Sequence, residues 1–141
     1  MIKQGILRVV LNEKTIQQLP IGASIIVTIY DIGEQAPESA TGWKLYDNFS
    51  NYGILEASSS DELQEAARNL AIDIVAQHDG ISKQMENGTA VFDELKKGIY
   101  LGIVDNEKAD ITFNPFIITI PMVYPETHAL TYDCSVILKD S

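Results

Sequence analysis

The sequence has very little of the residues that build most catalytic and metal sites. Its 141 residues include one cysteine and two histidines, and neither His78 nor His128 stands in an HExxH or similar metal-binding spacing. Cys134 cannot form an internal disulfide and has no second cysteine nearby to share a metal. GxSxG, P-loop and GxGxxG motifs are absent from the sequence. We therefore expect no enzyme activity, no cofactor and no bound metal.

Positive charge is also scarce. The chain has 10 Lys and Arg against 20 Asp and Glu, which gives a net charge of −10. A surface of this sign repels phosphate groups and anionic lipids, so nucleic acid and membrane surfaces are not expected partners. No apolar run approaches the roughly 18 residues that a membrane span needs, and the N-terminus lacks a signal-peptide pattern. If the protein is exported, we expect its signal peptide and any anchor to lie outside these 141 residues.

What the sequence does contain is strand-like. β-branched and aliphatic runs alternate with turn residues along most of the chain, which predicts a β-sandwich. The predicted strands are Gly5–Leu11, 24–32, 43–46, 84–85, 89–92, 98–104, Phe116–Ile120 and 131–139. Residues 12–14 are interpreted as a turn, and Asn87-Gly88 predicts a type I′ hairpin turn. We expect residues 1–141 to form a single domain.

One segment has the period of a helix instead. Apolar residues recur at spacings of three and four, which predicts an amphipathic helix over about 61–77. They are Leu63, Ala66, Ala67, Leu70, Ala71, Ile74 and Val75. Ser59 and Glu62 have the spacing of a capping box at its start. We expect the apolar stripe to cover part of a sheet, because a lone helix of this length is only marginally stable.

Two local patterns bear on possible sites. In the last strand, the period of two places Cys134 and Leu138 on one face and Ile137 and Lys139 on the other, so Cys134 is expected to be buried and unreactive. Aromatic residues cluster over 43–52, where Trp43 and Tyr46 could contact a ligand such as a glycan or could simply cap the edge of the sandwich.

The order of these segments resembles a known family. Gly5–Leu11 followed by 19–30 (LPIGASIIVTIY) is similar to the opening strands of Cna protein B-type domains, and 87–101 (NGTAVFDELKKGIYL) is similar to their later hairpin. The segments 113–122 (FNPFIITIPM) and 132–140 (YDCSVILKD) resemble the end of the N-terminal domain of Gram-positive, sortase-assembled (LPXTG) pilins. The resemblance implies an all-β, transthyretin-like or immunoglobulin-like sandwich with one inserted helix.

The resemblance also implies a function. In the family, a lysine at the end of this strand is the nucleophile by which a class C sortase joins one pilin subunit to the next, and the matching residue here is Lys139. Ile137-Leu138 stands in place of the usual Tyr-Pro, and Asp140 in place of Asn. The implied partners are the sortase, other pilin subunits and, in an adhesin, a host surface ligand. The implied location is extracellular, in the cell wall or the pilus.

A second feature of the family is not expected here. Many of these domains carry an internal Lys–Asn isopeptide bond between the first and last strands. The middle of the first strand has Arg8 instead of a lysine, the last strand has no Asn, and Val104 stands where the family has a glutamate. We therefore predict that the domain forms no internal isopeptide bond.

Two other functions stay open at this point. The chain could be a ligand-binding module of a surface adhesin that contacts a glycan or a host protein through Trp43 and Tyr46. It could also be an accessory domain of a larger enzyme with the same type of sandwich. The leading hypothesis is the structural one, a domain of a pilus or surface-protein subunit.

Overall fold

A computed structural model describes residues 4–19, 22–39, 42–77, 79–107, 113–123 and 130–138. The strands are β1 (Gly5–Leu11), β2 (Ser24–Gln35), β3 (Trp43–Leu45), β4 (Ile81–Gln84), β5 (Thr89–Leu95), β6 (Gly98–Glu107), β7 (Phe116–Ile120), β8 (Met122–Val123), β9 (Leu130–Thr131) and β10 (Asp133–Leu138). The helices are α1 (Glu13–Gln18), α2 (Ser60–Gln77) and a 3₁₀ helix over Asp47–Tyr52. No helix in the described ranges is long and apolar enough to span a bilayer.

Two sheets face each other, as the sequence predicts. The first sheet has the strand order β10-β1-β5, and β1 and β10 run parallel. The second has the order β3-β2-β6-β7, with β4 also paired to β2. Every second side chain of β1 is buried between the sheets, since alternate residues of a strand point to opposite faces. The core between the sheets contains Leu7, Val9, Leu11, Ile25, Val27, Ile29, Phe92, Tyr100, Ile118, Ile120, Cys134 and Leu138.

A second apolar layer lies on the other face of the larger sheet. Residues of β2 and β6 that point away from the sandwich core pack against α2 and the 3₁₀ helix, and this cluster includes Tyr30, Ile32, Leu45, Phe49, Ala66, Ala67, Leu70, Ile74, Ile99 and Leu101. Both faces of β2 and β6 are therefore covered. Because both faces are buried, these strands contain consecutive apolar residues and not only apolar residues that alternate with polar ones.

Helix α2 confirms the predicted period change. Leu70 and Ile74 are almost completely buried, but the prediction for Val75 was wrong, because Val75 is 58% exposed. Val75 lies about 100° around the helix from Ile74, which is enough to turn it away from the sheet. At the start of the helix, Ser59 Oγ accepts a hydrogen bond from the backbone N–H of Glu62 (3.2 Å). The Glu62 carboxylate accepts from the backbone N–H of Ser58 (2.8 Å) and not of Ser59, so the capping box closes one residue earlier than usual.

Several predicted boundaries change. Residues 12–14 are the N-cap and the first two residues of α1 and are not a simple turn. The Asn12 side chain caps the helix by accepting a hydrogen bond from the N–H of Thr15 (2.7 Å). β2 and β6 extend beyond their predicted ends into polar residues, and the predicted last strand divides into β9 and β10. Asn87 (φ 54°) and Gly88 (φ 77°) both have the left-handed backbone that a type I′ turn requires, which confirms that prediction.

Candidate functional site: the end of strand β10

Strand β10 lies at an edge of the smaller sheet and ends one residue before Lys139. Among the described strands, its single neighbour in that sheet is β1, with Val10 opposite Ile137 and Leu11 opposite Leu138. Cys134 and Leu138 are buried, while Ile137 is 63% exposed, which confirms the predicted alternation over these residues. Lys139 itself lies outside the described residues.

A groove of about 420 Å³ runs beside the end of β10. Its three walls are the first turns of α2, the segment that leads into β7, and the last residues of β10. The lining residues are Ser60, Leu63, Gln64, Ala67, Asn114, Pro115, Phe116, Ile117, Val136, Ile137 and Leu138. None of these lining residues is charged, although 21% of the chain is charged. The groove is thus suited to an uncharged, partly apolar ligand.

Polar contacts hold two walls of this groove together. The side-chain amide of Gln64 donates a hydrogen bond to the Pro115 carbonyl oxygen (3.2 Å), and the Arg68 guanidinium donates one to the Asn114 side chain (3.1 Å). Both bonds connect α2 to the start of β7. These two hydrogen bonds therefore hold the segment before β7 against α2, and the shape of the groove depends on them.

The two sides of the sandwich where the sheets end, at β4 and β5 and at β7 and β10, differ in charge. On the side of β4 and β5, every residue of β4 is exposed and Lys83 lies in the middle of that strand. The register between β1 and β5 also shifts beyond Leu7, close to Glu94, whose φ is 55°. Charged side chains and irregular pairing are common means of preventing an edge strand from binding another strand. The side of β7 and β10, where the uncharged groove lies, lacks comparable protection among its lining residues.

Trp43 and Tyr46 line two different grooves in the part of the chain that the structure describes. Trp43 lines a groove of about 370 Å³ together with Ala36, Leu45 and Leu55 and several polar residues. Tyr46 lines a separate groove of about 330 Å³ that also includes Phe49 and Ile74. Both aromatic side chains pack against the apolar layer under α2. A role of Trp43 and Tyr46 in ligand contact stays a prediction, in which each residue contributes to a different groove.

Tyr46 belongs to a polar network near the turn between β5 and β6. The Asp31 carboxylate lies 2.8 Å from the Lys96 ammonium group and accepts a hydrogen bond from the Tyr46 hydroxyl (3.2 Å). The hydrogen bond and charge of Asp31 raise the pKa of Lys96. The Tyr100 hydroxyl donates to the Lys96 carbonyl oxygen (2.8 Å), and burial, followed by the charge of Asp31, raises the pKa of Tyr100 to about 12. Lys96 is accordingly a charged structural group and a poor nucleophile at neutral pH.

Cys134 has the environment of a core residue. Burial is the main cause that raises the pKa of its thiol, so the reactive thiolate is disfavoured. His78 and His128 both lie outside the described residues. Within the described residues, no group of three or more His, Cys, Asp or Glu side chains is arranged to hold a metal ion.

The strands that carry the isopeptide bond in the resembled family pair here through apolar side chains. Leu7 lies opposite Cys134 and Leu11 opposite Leu138, and all four are buried. Arg8 points to the outer face, where it forms an ion pair with Asp133. The absence of an isopeptide bond stays a prediction, and it is supported by this apolar pairing.

Comparison with solved structures gives the fold. Over 98% of its length, the chain superimposes on the full-length major pilin SpaD of Corynebacterium diphtheriae with a TM-score of 0.53 and 22% identity. The chain has a pilin-domain fold. It also matches the T6 backbone pilin of serotype M6 Streptococcus pyogenes over its full length, with a TM-score of 0.59 and 17% identity. No protein-family model and no curated protein matches the chain.

The extent of these matches differs between the pilin structures. The chain spans 30% of SpaD and 29% of the T6 pilin, which has a modular three-domain structure. In contrast, it covers 95% of the protein in the solution structure of the SpaA pilin–signal peptide complex of C. diphtheriae, with a TM-score of 0.53 and 18% identity. The pilin-like fold described here therefore corresponds to a part of the longer pilins and to nearly all of that shorter SpaA structure.

Proposed function

We propose that the chain is a structural domain of a cell-surface pilus subunit, and that a class C sortase joins it to a neighbouring subunit through Lys139. The observation that carries the proposal is the uncharged groove beside the edge of β10 that no described strand covers, in a pilin-like fold. Strand β10 ends one residue before this lysine. In this proposal the domain is extracellular and has no catalytic activity of its own.

The joining reaction requires the free amine of Lys139. The sortase holds the neighbouring subunit as a thioester between its cysteine and the C-terminal threonine of that subunit. The Lys139 nitrogen attacks the thioester carbonyl carbon, a C–N bond forms, and the C–S bond breaks to leave the enzyme thiolate. The ammonium group loses two protons overall, one to a base before attack and one as the amide forms, and one of them can return to the thiolate. Because a solvated lysine is almost wholly protonated at neutral pH, the enzyme must supply that base.

In this proposal, the groove binds part of the neighbouring subunit. SpaA, whose pilin domain has the same fold, forms a complex with a signal peptide. We assign the corresponding role here to the groove between α2, the start of β7 and β10, which would receive the C-terminal signal segment of the neighbouring subunit. An extended segment can add to the free edge of β10 by backbone hydrogen bonds and can place apolar side chains between Leu63 and Phe116.

The experiment that tests the proposal is polymerisation of the full-length protein in cells that contain its sortase. Lys139→Arg retains the positive charge and removes the nucleophile. The ladder of high-molecular-weight polymers on a denaturing gel should disappear. Lys83→Arg is the matched control, because Lys83 is an exposed lysine of β4 on the opposite side of the sandwich, and its ladder should be unchanged. A normal ladder from Lys139→Arg would show that another residue forms the link.

A further inference from the structure

The turn between β4 and β5 contains the only Asn-Gly pair in the sequence, Asn87-Gly88. The other asparagines each precede a residue that has a side chain, and they are Asn12, Asn48, Asn51, Asn69, Asn106 and Asn114. Asn87 is exposed and lines two open grooves, of about 670 Å³ and about 400 Å³. Because glycine has no Cβ, the backbone nitrogen of Gly88 is less hindered than any other that follows an asparagine.

Attack of this nitrogen on the Asn87 side chain closes a five-membered succinimide ring. The ring is nearly flat, which sets ψ of Asn87 at about −120°, the value at the first central residue of a type II′ turn. With the negative φ of most residues, this ψ lies outside the sterically allowed regions. A type II′ turn combines it with a positive φ of about 60°. Asn87 already has φ 54°, so the folded turn provides one of the two backbone angles that ring closure needs.

Rotation of the peptide group between Asn87 and Gly88 provides the other angle. It converts the type I′ turn to a type II′ turn, the other two-residue turn that suits a hairpin. The φ of Gly88 then changes from 77° to about −80°, and glycine adopts both values readily. Within the described residues, neither the Asn87 carbonyl nor the Gly88 N–H forms a hydrogen bond, so the rotation breaks none.

The hydrogen bonds that fix the turn involve other peptide groups. Glu86 and Thr89 exchange two backbone hydrogen bonds, of 2.9 and 3.1 Å. The Gly88 carbonyl oxygen accepts a third from the N–H of Leu11 (2.9 Å). These bonds hold the ends of the turn and Asn87 at its positive φ, while the peptide group at the tip is free to rotate.

We propose that Asn87 is a site of self-modification, at which the folded turn converts the asparagine to aspartate and isoaspartate without an enzyme. The Gly88 nitrogen attacks Cγ of Asn87 and a C–N bond forms. The bond from Cγ to the side-chain nitrogen breaks, and the proton of the Gly88 nitrogen leaves with the ammonia. Water then opens the ring at either carbonyl carbon, and each product has one more negative charge than the asparagine form. This inference is independent of the proposed function.

The two products differ in their effect on the fold. Isoaspartate routes the backbone through the former side chain and adds one carbon to a two-residue turn, whereas aspartate keeps the length of the turn. The turn has little room on the side of α1, because a Cβ on Gly88 would lie 2.6 Å from Ile16. The isoaspartate form should therefore have a lower Tm than the Asn87→Asp variant, which carries the same charge on an unchanged backbone.

The test incubates the full-length protein at mildly alkaline pH and measures the conversion of each asparagine over time by proteolysis and tandem mass spectrometry. Asn87 should be converted at least about tenfold faster than Asn51, which is also exposed but precedes Tyr52. The products should include isoaspartate, which only the ring can give. Asn87→Gln is the matched control, because its amide is one carbon too far away to close a five-membered ring, and it should stay unmodified.

Three results would overturn the inference. Equal rates at Asn87 and Asn51 would show that the turn gives no advantage, and aspartate without isoaspartate would show direct hydrolysis of the amide. The third is an intact Asn87 in the folded protein together with conversion in urea, because the turn would then protect the amide. A transient loss of ammonia that maps to Asn87 is the succinimide itself, and its position distinguishes it from an isopeptide bond, which maps to a lysine.

Discussion

Replacing Leu70 with alanine tests whether α2 is an integral layer of this fold. Leu70 is fully buried between α2 and the larger sheet, in a cluster with Ile32, Ile99 and Leu101. Truncation of a buried leucine removes its transfer free energy and leaves a cavity, which together destabilise a protein by about 2–5 kcal/mol. This loss is a large part of the 5–15 kcal/mol that typically stabilises a domain. For a chain of this length, a loss of about 3 kcal/mol lowers Tm by roughly 10 °C.

The matched control is on the same helix. Ile72→Ala removes an aliphatic side chain of the same size, but Ile72 is 73% exposed, so its stability should stay within about 0.5 kcal/mol of the wild type. Urea unfolding monitored by circular dichroism gives both the midpoint and the slope for each variant. The reasoning is refuted if the two variants shift the midpoint equally, because burial of Leu70 against the sheet would then contribute nothing.

Three further predictions follow from individual contacts. The free energy of unfolding should fall as the pH rises from 10, the ordinary pKa of tyrosine, to about 12, the raised pKa of Tyr100. This follows because the unfolded state loses the Tyr100 proton at a lower pH than the folded state does. Tyr100→Phe should make the slope of the stability curve less steep over that interval, and an unchanged slope would contradict the assignment. Gly88→Ala should destabilise the protein by about 1–3 kcal/mol in thermal unfolding, because φ is 77° and the new Cβ would lie 2.6 Å from Ile16; wild-type stability would argue against the turn. Intact-mass spectrometry should give the mass of the unmodified sequence, whereas a loss of one ammonia or one water mapped to a lysine would reveal an isopeptide bond.

Local patterns in the sequence predict those parts of the fold that local interactions determine. Helix α2 follows from the change to a helical period, the turn at Asn87-Gly88 from its need for a left-handed backbone, and the burial of Cys134 from alternation along β10. Helix α1 is missed because its six residues are too few to display a period, and Asn12 is as typical of turns as of helix caps.

The candidate site is less accessible to sequence reasoning. The position of Lys139 is suggested by the family resemblance alone. The groove beside it brings together residues near positions 64, 115 and 137, and no local pattern connects them. The network of Asp31, Tyr46 and Lys96 likewise joins residues that are far apart in the chain. The sequence therefore predicts a ligand contact for Tyr46, whereas in the fold its hydroxyl group donates a hydrogen bond to Asp31.

Identification of the bond between subunits tests the central claim most directly. Polymers of the full-length protein are isolated from cells that contain its sortase, digested with a protease, and analysed by tandem mass spectrometry. The account predicts a branched peptide in which the side-chain nitrogen of Lys139 carries the C-terminal threonine of another subunit. A branch at a different lysine, or an unmodified peptide containing Lys139 in every polymer, would contradict it.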